Sequence, residues 1–556
     1  MEKTAEMEQN TTGSRKKRGF WGWCAAFIRW AFILLFVVIL LGGLYFKAPW
    51  KILLLDGLLL ALLTVVPKKK RKYGWLTLAA AVLAVTVWIF IPEKDTGNWR
   101  PYTFDEELAV LEAERIVSPE DNAAPLYESL FDRWQQIEEN DPFPEEADAD
   151  CVTQSQPWTS EEFPEVAAWF ERHNYFFLDL ITATQKPACY FPAAVTAWSL
   201  SESMERLSPV KHFAQHLIRA SYYESGEDKT VFSVYQKQLA ALSLGKHINQ
   251  QPLMIDMLVG IAIEAMAYDV VKTILMQESF AENATLNDIG TIKKTIETCH
   301  FDHQAKWQQI LAHEKLLAKN TLGMMYEINS EGKIRSAHFK SVMNAIQGLC
   351  LDEELAALAN SYWKGVSFKI SKLFLWFSGY PNDPNVLSGR VDEAYDLLEE
   401  AIQSENGISE IDSDIHTPFE LNYKYLIKSL AQISLPSFKK IQGDILPRIL
   451  AQKLGTEIVC DLVLYEKQYD QYPDNLNQLW PLQEGQIAAG QYSGFVYEKA
   501  GDSFKLYHVG QNGIDEGGHY QMPDIDLNNI TFDKIMDMKP ELDDILIWPD
   551  ELGDDD

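Results

Sequence analysis

Positive charge is scarce over most of this 556-residue sequence. Residues 1–92 hold 13 Lys and Arg against 4 Asp and Glu, a net of +9, which leaves 36 against 76, a net of −40, in residues 93–556. A field of that sign repels phosphate backbones, so the large part is excluded as a nucleic-acid binder and favours basic partners or divalent cations. Several catalytic signatures are missing too. There is no glycine-rich phosphate loop, no nucleophile elbow and no His-Glu-x-x-His pair, because "AHEKLL" (Ala312–Leu317) lacks the second histidine. Cysteine is sparse, with six in all. Cys24 falls in the apolar N-terminal region. Cys151, Cys189, Cys299, Cys350 and Cys460 would face an oxidising compartment if they lie outside the cytoplasm. Five is odd, so at least one thiol stays free or pairs between chains. The pairs to test are Cys151 with Cys189 and Cys299 with Cys350, against the alternative that all are small buried hydrophobes.

Hydrophobic residues make up 47% of the chain and aromatics 12%, enough to fold into two to four domains with a sizeable core. Long apolar runs are confined to the beginning. They are "WAFILLFVVILLGGLYF" (Trp30–Phe46), "WKILLLDGLLLALLTVV" (Trp50–Val66) and "GWLTLAAAVLAVTVWIFI" (Gly74–Ile91). A span needs about 20 apolar residues. The second run is the shortest fit and carries Asp56, which either marks a functional site or reaches water near an interface. The basic clusters "RKKR" (Arg15–Arg18) and "KKKRK" (Lys68–Lys72) set the orientation. With both inside, residues 1–19 are cytoplasmic, 20–92 cross three times, and 93–556 emerge outside the cytoplasmic membrane.

After a linker at Pro92–Thr103 the pattern is helical. A Thr103–Glu106 capping box is expected to open one helix, and Trp158–Gln185 reads as another. Three long helices follow over Ser208–Glu227, Asp228–Ile248 and Gln251–Leu275, joined by short polar turns that make neighbours antiparallel. The last is apolar enough to suggest a span, but Asp256, Glu264 and Asp269 interrupt it, so it reads as a buried core helix. Ser434–Pro473 forms one or two long helices, which Pro447 should kink or break. The period then changes to alternation in "YSGFVYEKAGDSFKLYHVG", with Gly501-Asp502 as the hairpin turn. The expected fold is mainly α: transmembrane helices, an irregular α-solenoid or bundle over 93–433, a small α+β module with an antiparallel hairpin over 434–530, and an acidic tail over 531–556.

The module's motifs carry a resemblance. A long helix, then "YPDNLNQL", then a hairpin closing in "FKLYHVGQNGIDEGG" is similar to the C-terminal half of type II secretion major pseudopilins. Tyr472, Pro473, Leu476 and Leu479 match the helix-end motif, and Phe504, Leu506, Tyr507 and Gly510 match the second strand. The resemblance covers roughly residues 450–527. Near the beginning, "KKRGFWGWCAAF" (Lys16–Phe27) has the family's basic-Gly-Phe pattern without its glutamate. The whole chain resembles large bacterial envelope proteins that join an extracytoplasmic helical array to this module.

That resemblance implies a calcium loop. "QNGIDEGGHYQMPDID" supplies oxygen ligands of the kind calcium takes, and its glycines let carbonyls fold inward. Asp524 and Asp526 are the first candidate ligands, then Asp515, with Asn512 beside them. "CHFDHQAKWQQILAHE" gathers Cys299, His300, Asp302, His303 and His313, but the spacing fits no zinc pattern and reads as packing and surface residues. The expected function is a membrane-anchored extracytoplasmic scaffold without catalytic activity, with the lipid bilayer and envelope proteins as partners. The alternatives are a component of a secretion or pilus-type apparatus and a cell-envelope hydrolase.

Overall fold

The computed structural model describes residues 98–144, 155–193, 200–227, 229–299, 301–336, 383–403, 440–482, 493–521 and 542–548. The three apolar segments of residues 20–92 lie outside these. Among the described residues, no helix is long and apolar enough to cross a membrane. The chain divides into two compact units: Met1–Pro101, Met325–Leu387 and Ile408–Ser429, and then Tyr102–Met324, Ser388–Gly407 and Leu430–Asp556.

The described part of the first unit contains a three-stranded antiparallel sheet. Its strands are β1 (Trp99–Pro101), β2 (Tyr326–Asn329) and β3 (Ile334–Ser336), in that order. Arg335 lies 3.9 Å over the Trp99 ring and pairs with Glu327 at 2.7 Å, so one guanidinium ties both outer strands to the central one.

The second unit is mainly helical. Its helices are α1 (Asp105–Ala113), α2 (Ala124–Asn140), α3 (Pro164–Arg172), α4 (Asn174–Thr184), α5 (Leu200–Gly226), α6 (Val231–Asn249), α7 (Met254–Leu275), α8 (Glu278–Asn283), α9 (Leu286–Cys299) and α10 (His303–Gly323). Helix α11 (Pro384–Gln403) begins four residues before the unit's second segment, and α12 (Leu446–Tyr469) belongs to its third. α6 is the centre, packing against α4, α5, α7 and α9. α7 is the buried core helix its charges implied: Asp256 and Glu264 are both enclosed.

Three local expectations change. α1 starts at Asp105 after Phe104, with no side-chain cap; Thr103 donates instead to the Asp105 carboxylate at 2.5 Å. The helix expected over 158–185 is two, broken at His173, where Asp141 binds both Arg172 and His173 at 2.9 Å. Pro447 does not break the helical run but falls where its winding changes: a π-helical turn over Ile441–Ile445 runs directly into α12, with the proline at the second position of the α-helical part.

α12 lies across α7 and α9, and a sheet ordered β4-β5-β8 packs on it. β4 (Phe495–Ala500) and β5 (Ser503–His508) form the expected hairpin, with Gly501 at φ 61° in the turn. β8 (Ile545–Trp548) then pairs with β5, and β6 (Tyr520–Gln521) pairs with β7 (Leu542–Asp543). Residues 531–556 are therefore not all tail. Ile545 and Ile547 alternate into the core, a short strand masked by flanking aspartates. At Gly455 of α12 an added Cβ would come within 2.7 Å of Ile547, so the glycine admits the strand.

Candidate functional site

Two polar regions and one cavity stand out in the second unit. The first region joins α1, α7 and α10. Burial alone would raise the Glu112 carboxyl, yet His313, Arg115, Tyr190 and the Ala193 amide together bring it down to about 2. Arg115 pairs with Glu112 and donates to the Phe191 carbonyl at 3.0 Å, and Tyr190 donates its hydroxyl to Glu112 at 2.9 Å. His313 Nε2 stands 3.4 Å from the same carboxylate. Nearby, burial pushes Asp256 up to about 6, and burial together with the Asp256 charge pushes Glu314 up to about 7. Asp256 accepts the Leu253 amide at 3.2 Å and Glu314 the Met254 amide at 2.9 Å. Perturbed carboxyls of this kind cluster in active sites. Here each already holds a backbone donor at the start of α7, so the pair serves as its cap.

The second region is the loop after β5. Asp544 is fully buried, and its Oδ2 accepts the amides of Glu516 and Gly518 at 2.8 Å each. Glu516 reciprocates, accepting the Asp543 amide at 2.6 Å and the Asp544 amide at 3.2 Å. Asp543 takes the Gln511 amide at 2.7 Å and pairs with Arg448 of α12 at 2.6 Å. Of the expected calcium ligands, Asn512 and Asp515 lie in this loop, whereas Asp524 and Asp526 lie outside the described residues. Asn512 donates to Glu516 at 2.8 Å and accepts the Ile514 amide at 2.7 Å. Asp515 accepts the Tyr507 hydroxyl at 2.8 Å and the Gly517 amide at 3.0 Å. Among the described residues no group of three or more His, Cys, Asp or Glu could hold a metal ion. Asp543 and Asp544 were not singled out from sequence, because a gap of some thirty residues separates them from the loop they hold.

The zinc-like stretch disperses. Cys299 touches the Ser243 hydroxyl at 3.4 Å, His313 faces Glu112, and His303 faces Glu264. Cys189, Cys299 and Cys460 are buried free thiols. Cys151 and Cys350 lie outside the described residues.

The cavity has a volume of about 250 Å³ and opens between α7, the start of α10 and the first turns of α12. Its polar wall holds Glu264, Tyr268, His303 and Lys453, and its apolar wall includes Leu446 and Leu450. Glu264 is 2% exposed and His303 7%. Glu264 Oε1 accepts from Asn249 Nδ2 at 2.8 Å, while its Oε2 stands 3.5 Å from His303 Nε2, an ion-pair distance too long for a good hydrogen bond. Neither nitrogen of His303 has a hydrogen-bond partner. Lys453 Nζ lies 2.8 Å from Glu457 Oε1, in contact by distance but at an angle poor for a hydrogen bond. Two glycines place Glu264. A Cβ at Gly245 would meet its Cγ at 2.9 Å, and one at Gly260 would meet the Asn249 side chain at 2.2 Å. α6 and α7 thus cross closely enough for Asn249 to reach Glu264.

No family model, curated protein or solved structure matches this chain.

Proposed function

We propose that this chain is a membrane-anchored extracytoplasmic protein whose helical body is a non-enzymatic scaffold for envelope protein partners. The charge asymmetry supports the placement: a short basic, apolar beginning and a body of net −40. One structural observation carries the scaffold reading. α12 is shared, lying on α7 and α9 on one side and under the β4-β5-β8 sheet on another. The α+β part is thereby held on the helical body as a fixed element, an arrangement suited to presenting a surface.

The pseudopilin-like reading of that element is supported by its motif residues. Tyr472 meets the Phe504 ring edge-on at 5.0 Å, Leu479 is fully buried, and Tyr497 donates to the Pro473 carbonyl at 2.7 Å. It favours a role beside a secretion or pilus-type apparatus. Calcium belongs to the same reading, with Asn512, Asp515, Asp524 and Asp526 as its oxygen donors. The second oxygen of buried Asp544, which has no hydrogen-bond partner next to this loop, supports a cation there.

The test is affinity capture of the full-length protein from detergent-solubilised membranes, with and without a calcium chelator, alongside a reporter fused to the carboxyl terminus. The expected result is an extracytoplasmic reporter and recovery of the same envelope proteins in repeated captures. A cytoplasmic reporter, or no enriched protein, would overturn the reading. Unchanged thermal stability on chelation would remove calcium alone.

A further inference from the structure

We propose that the cavity between α7, α10 and α12 binds a small amphipathic primary amine, its ammonium held by Glu264 and His303 and its hydrocarbon part lying along α12. This goes beyond the scaffold reading and does not depend on it.

Three observations converge. The first is space. About 250 Å³ is several times the roughly 30 Å³ share of one water, and the wall is part aliphatic, part aromatic. The second is unspent hydrogen bonding. His303 is 7% exposed and both of its nitrogens lack partners, although burying a polar group without a hydrogen bond is costly. The third is charge. Glu264 is 2% exposed, and among the described residues no Lys or Arg stands within ion-pair reach of it; the basic group beside it is His303 at 3.5 Å. Lys453, the cation in the lining, is already committed to Glu457 at 2.8 Å. Asp302 adds a second carboxylate at the exposed rim.

Lys453, Tyr268 and Gln442 also put donors in the wall, but Lys453 faces Glu457, and the carboxylate of Glu264 is left facing the cavity with only His303 beside it. An ammonium has three N–H donors and no acceptor. The Glu264 carboxylate and the lone pair of His303 Nε2 receive two of them, with Nδ1 carrying the imidazole proton, which gives the carboxylate a counter-charge and one of the two bare ring nitrogens a partner. Leu446 and Leu450 line the path where an alkyl or aryl body would lie. A carboxylic acid of the same length would place like charge against Glu264, and an alcohol would leave that carboxylate without a counter-charge.

The full-length protein in lipid nanodiscs tests this with three six-carbon probes: hexylamine, hexanol and hexanoate. Binding is read by saturation-transfer NMR, with empty nanodiscs as baseline. Hexylamine should bind saturably and hexanoate should not. Glu264→Gln keeps the oxygen that accepts from Asn249 and removes the charge, so hexylamine affinity should fall about tenfold or more. Leu450→Trp, at a position 45% exposed, fills the cavity without a new buried clash and should abolish binding while the thermal melt stays cooperative. Preference for hexanoate or hexanol, no saturable hexylamine binding, or hexylamine affinity equal in the wild type and both variants would overturn the proposal.

Discussion

Lys293 of α9 grips Asp461 of α12 with one ammonium shared between both carboxylate oxygens, at 2.7 and 2.9 Å. Asp461 is almost wholly enclosed, and Lys293 nearly so. This pair joins the helical body to the helix that carries the C-terminal sheet. Removing one partner of a buried pair leaves the other charged and unmatched. Lys293→Ala should therefore destabilise the protein by about 3 kcal/mol, read as a lower urea midpoint. The double change Lys293→Met with Asp461→Leu should recover most of that loss. An equal loss in the double variant would mean that packing rather than charge is at stake.

Two helical glycines should respond in opposite directions. A Cβ at Gly260 meets Asn249 at 2.2 Å, so Gly260→Ala should cost about 2–3 kcal/mol by forcing α6 and α7 apart. Gly290 in α9 has nothing within 4 Å of its would-be Cβ. Gly290→Ala should stabilise by about 0.5–1 kcal/mol, the ordinary helix-propensity gain. Thermal unfolding of both variants checks the contrast.

The cap of α7 should make stability depend on pH. The Asp256 carboxyl is raised by burial from 3.8 to about 6 in the fold. A raised carboxyl favours the folded state while neutral; that contribution is complete below pH 3.8 and is lost as pH rises through about 6. Asn at this position keeps an oxygen for the Leu253 amide and has no proton to lose. Asp256→Asn should thus gain on the wild type between pH 4 and 6 and stay ahead by roughly 3 kcal/mol at pH 8. Glu314, raised to about 7, acts in the same direction. Glu112, held at about 2, acts in the opposite one: its contribution is complete above its ordinary 4.5 and lost only as pH falls through 2. Urea titrations at pH 8, pH 4 and about pH 2 separate the two: the step from 8 to 4 reports Asp256 and Glu314, the step from 4 to about 2 reports Glu112.

The loop after β5 hangs on Asp544. Asp544→Ala would strip the Glu516 and Gly518 amides of their shared acceptor. The expected cost is about 2–3 kcal/mol, with faster hydrogen exchange confined to residues 510–521 and β8. Uniform exchange across the second unit would contradict that local role.

Long periodic stretches were readable from the sequence. The helices expected over 208–227, 228–248 and 251–275 appear at Leu200–Gly226, Val231–Asn249 and Met254–Leu275, because a sustained apolar face at helical spacing has few competing explanations. The hairpin was readable from its Gly501-Asp502 turn. Short, distant pairings were not. β1 lies at the end of what reads as a linker, and its partner β2 begins more than two hundred residues later. The cavity was legible only in fragments. His303 drew attention as a zinc candidate and Glu264 as a charge inside an apolar helix. Nothing local says that the two face each other or that α12 closes over them, since such proximity is set by tertiary packing.

The order of the β4-β5-β8 sheet bears on how the protein is made. β5 is its middle strand, and one of its two neighbours is assembled from residues 545–548. Ile547 from that neighbour fills the notch at Gly455, and its carbonyl receives the Lys272 ammonium at 3.2 Å. During synthesis the helices can associate as they emerge, but this side of α12 keeps an open groove and an unmatched strand edge until residue 548 is released. For that interval the nascent chain offers any neighbouring polypeptide a place to add a strand, so clipping upstream of residue 545 should turn a well-behaved protein into one that self-associates.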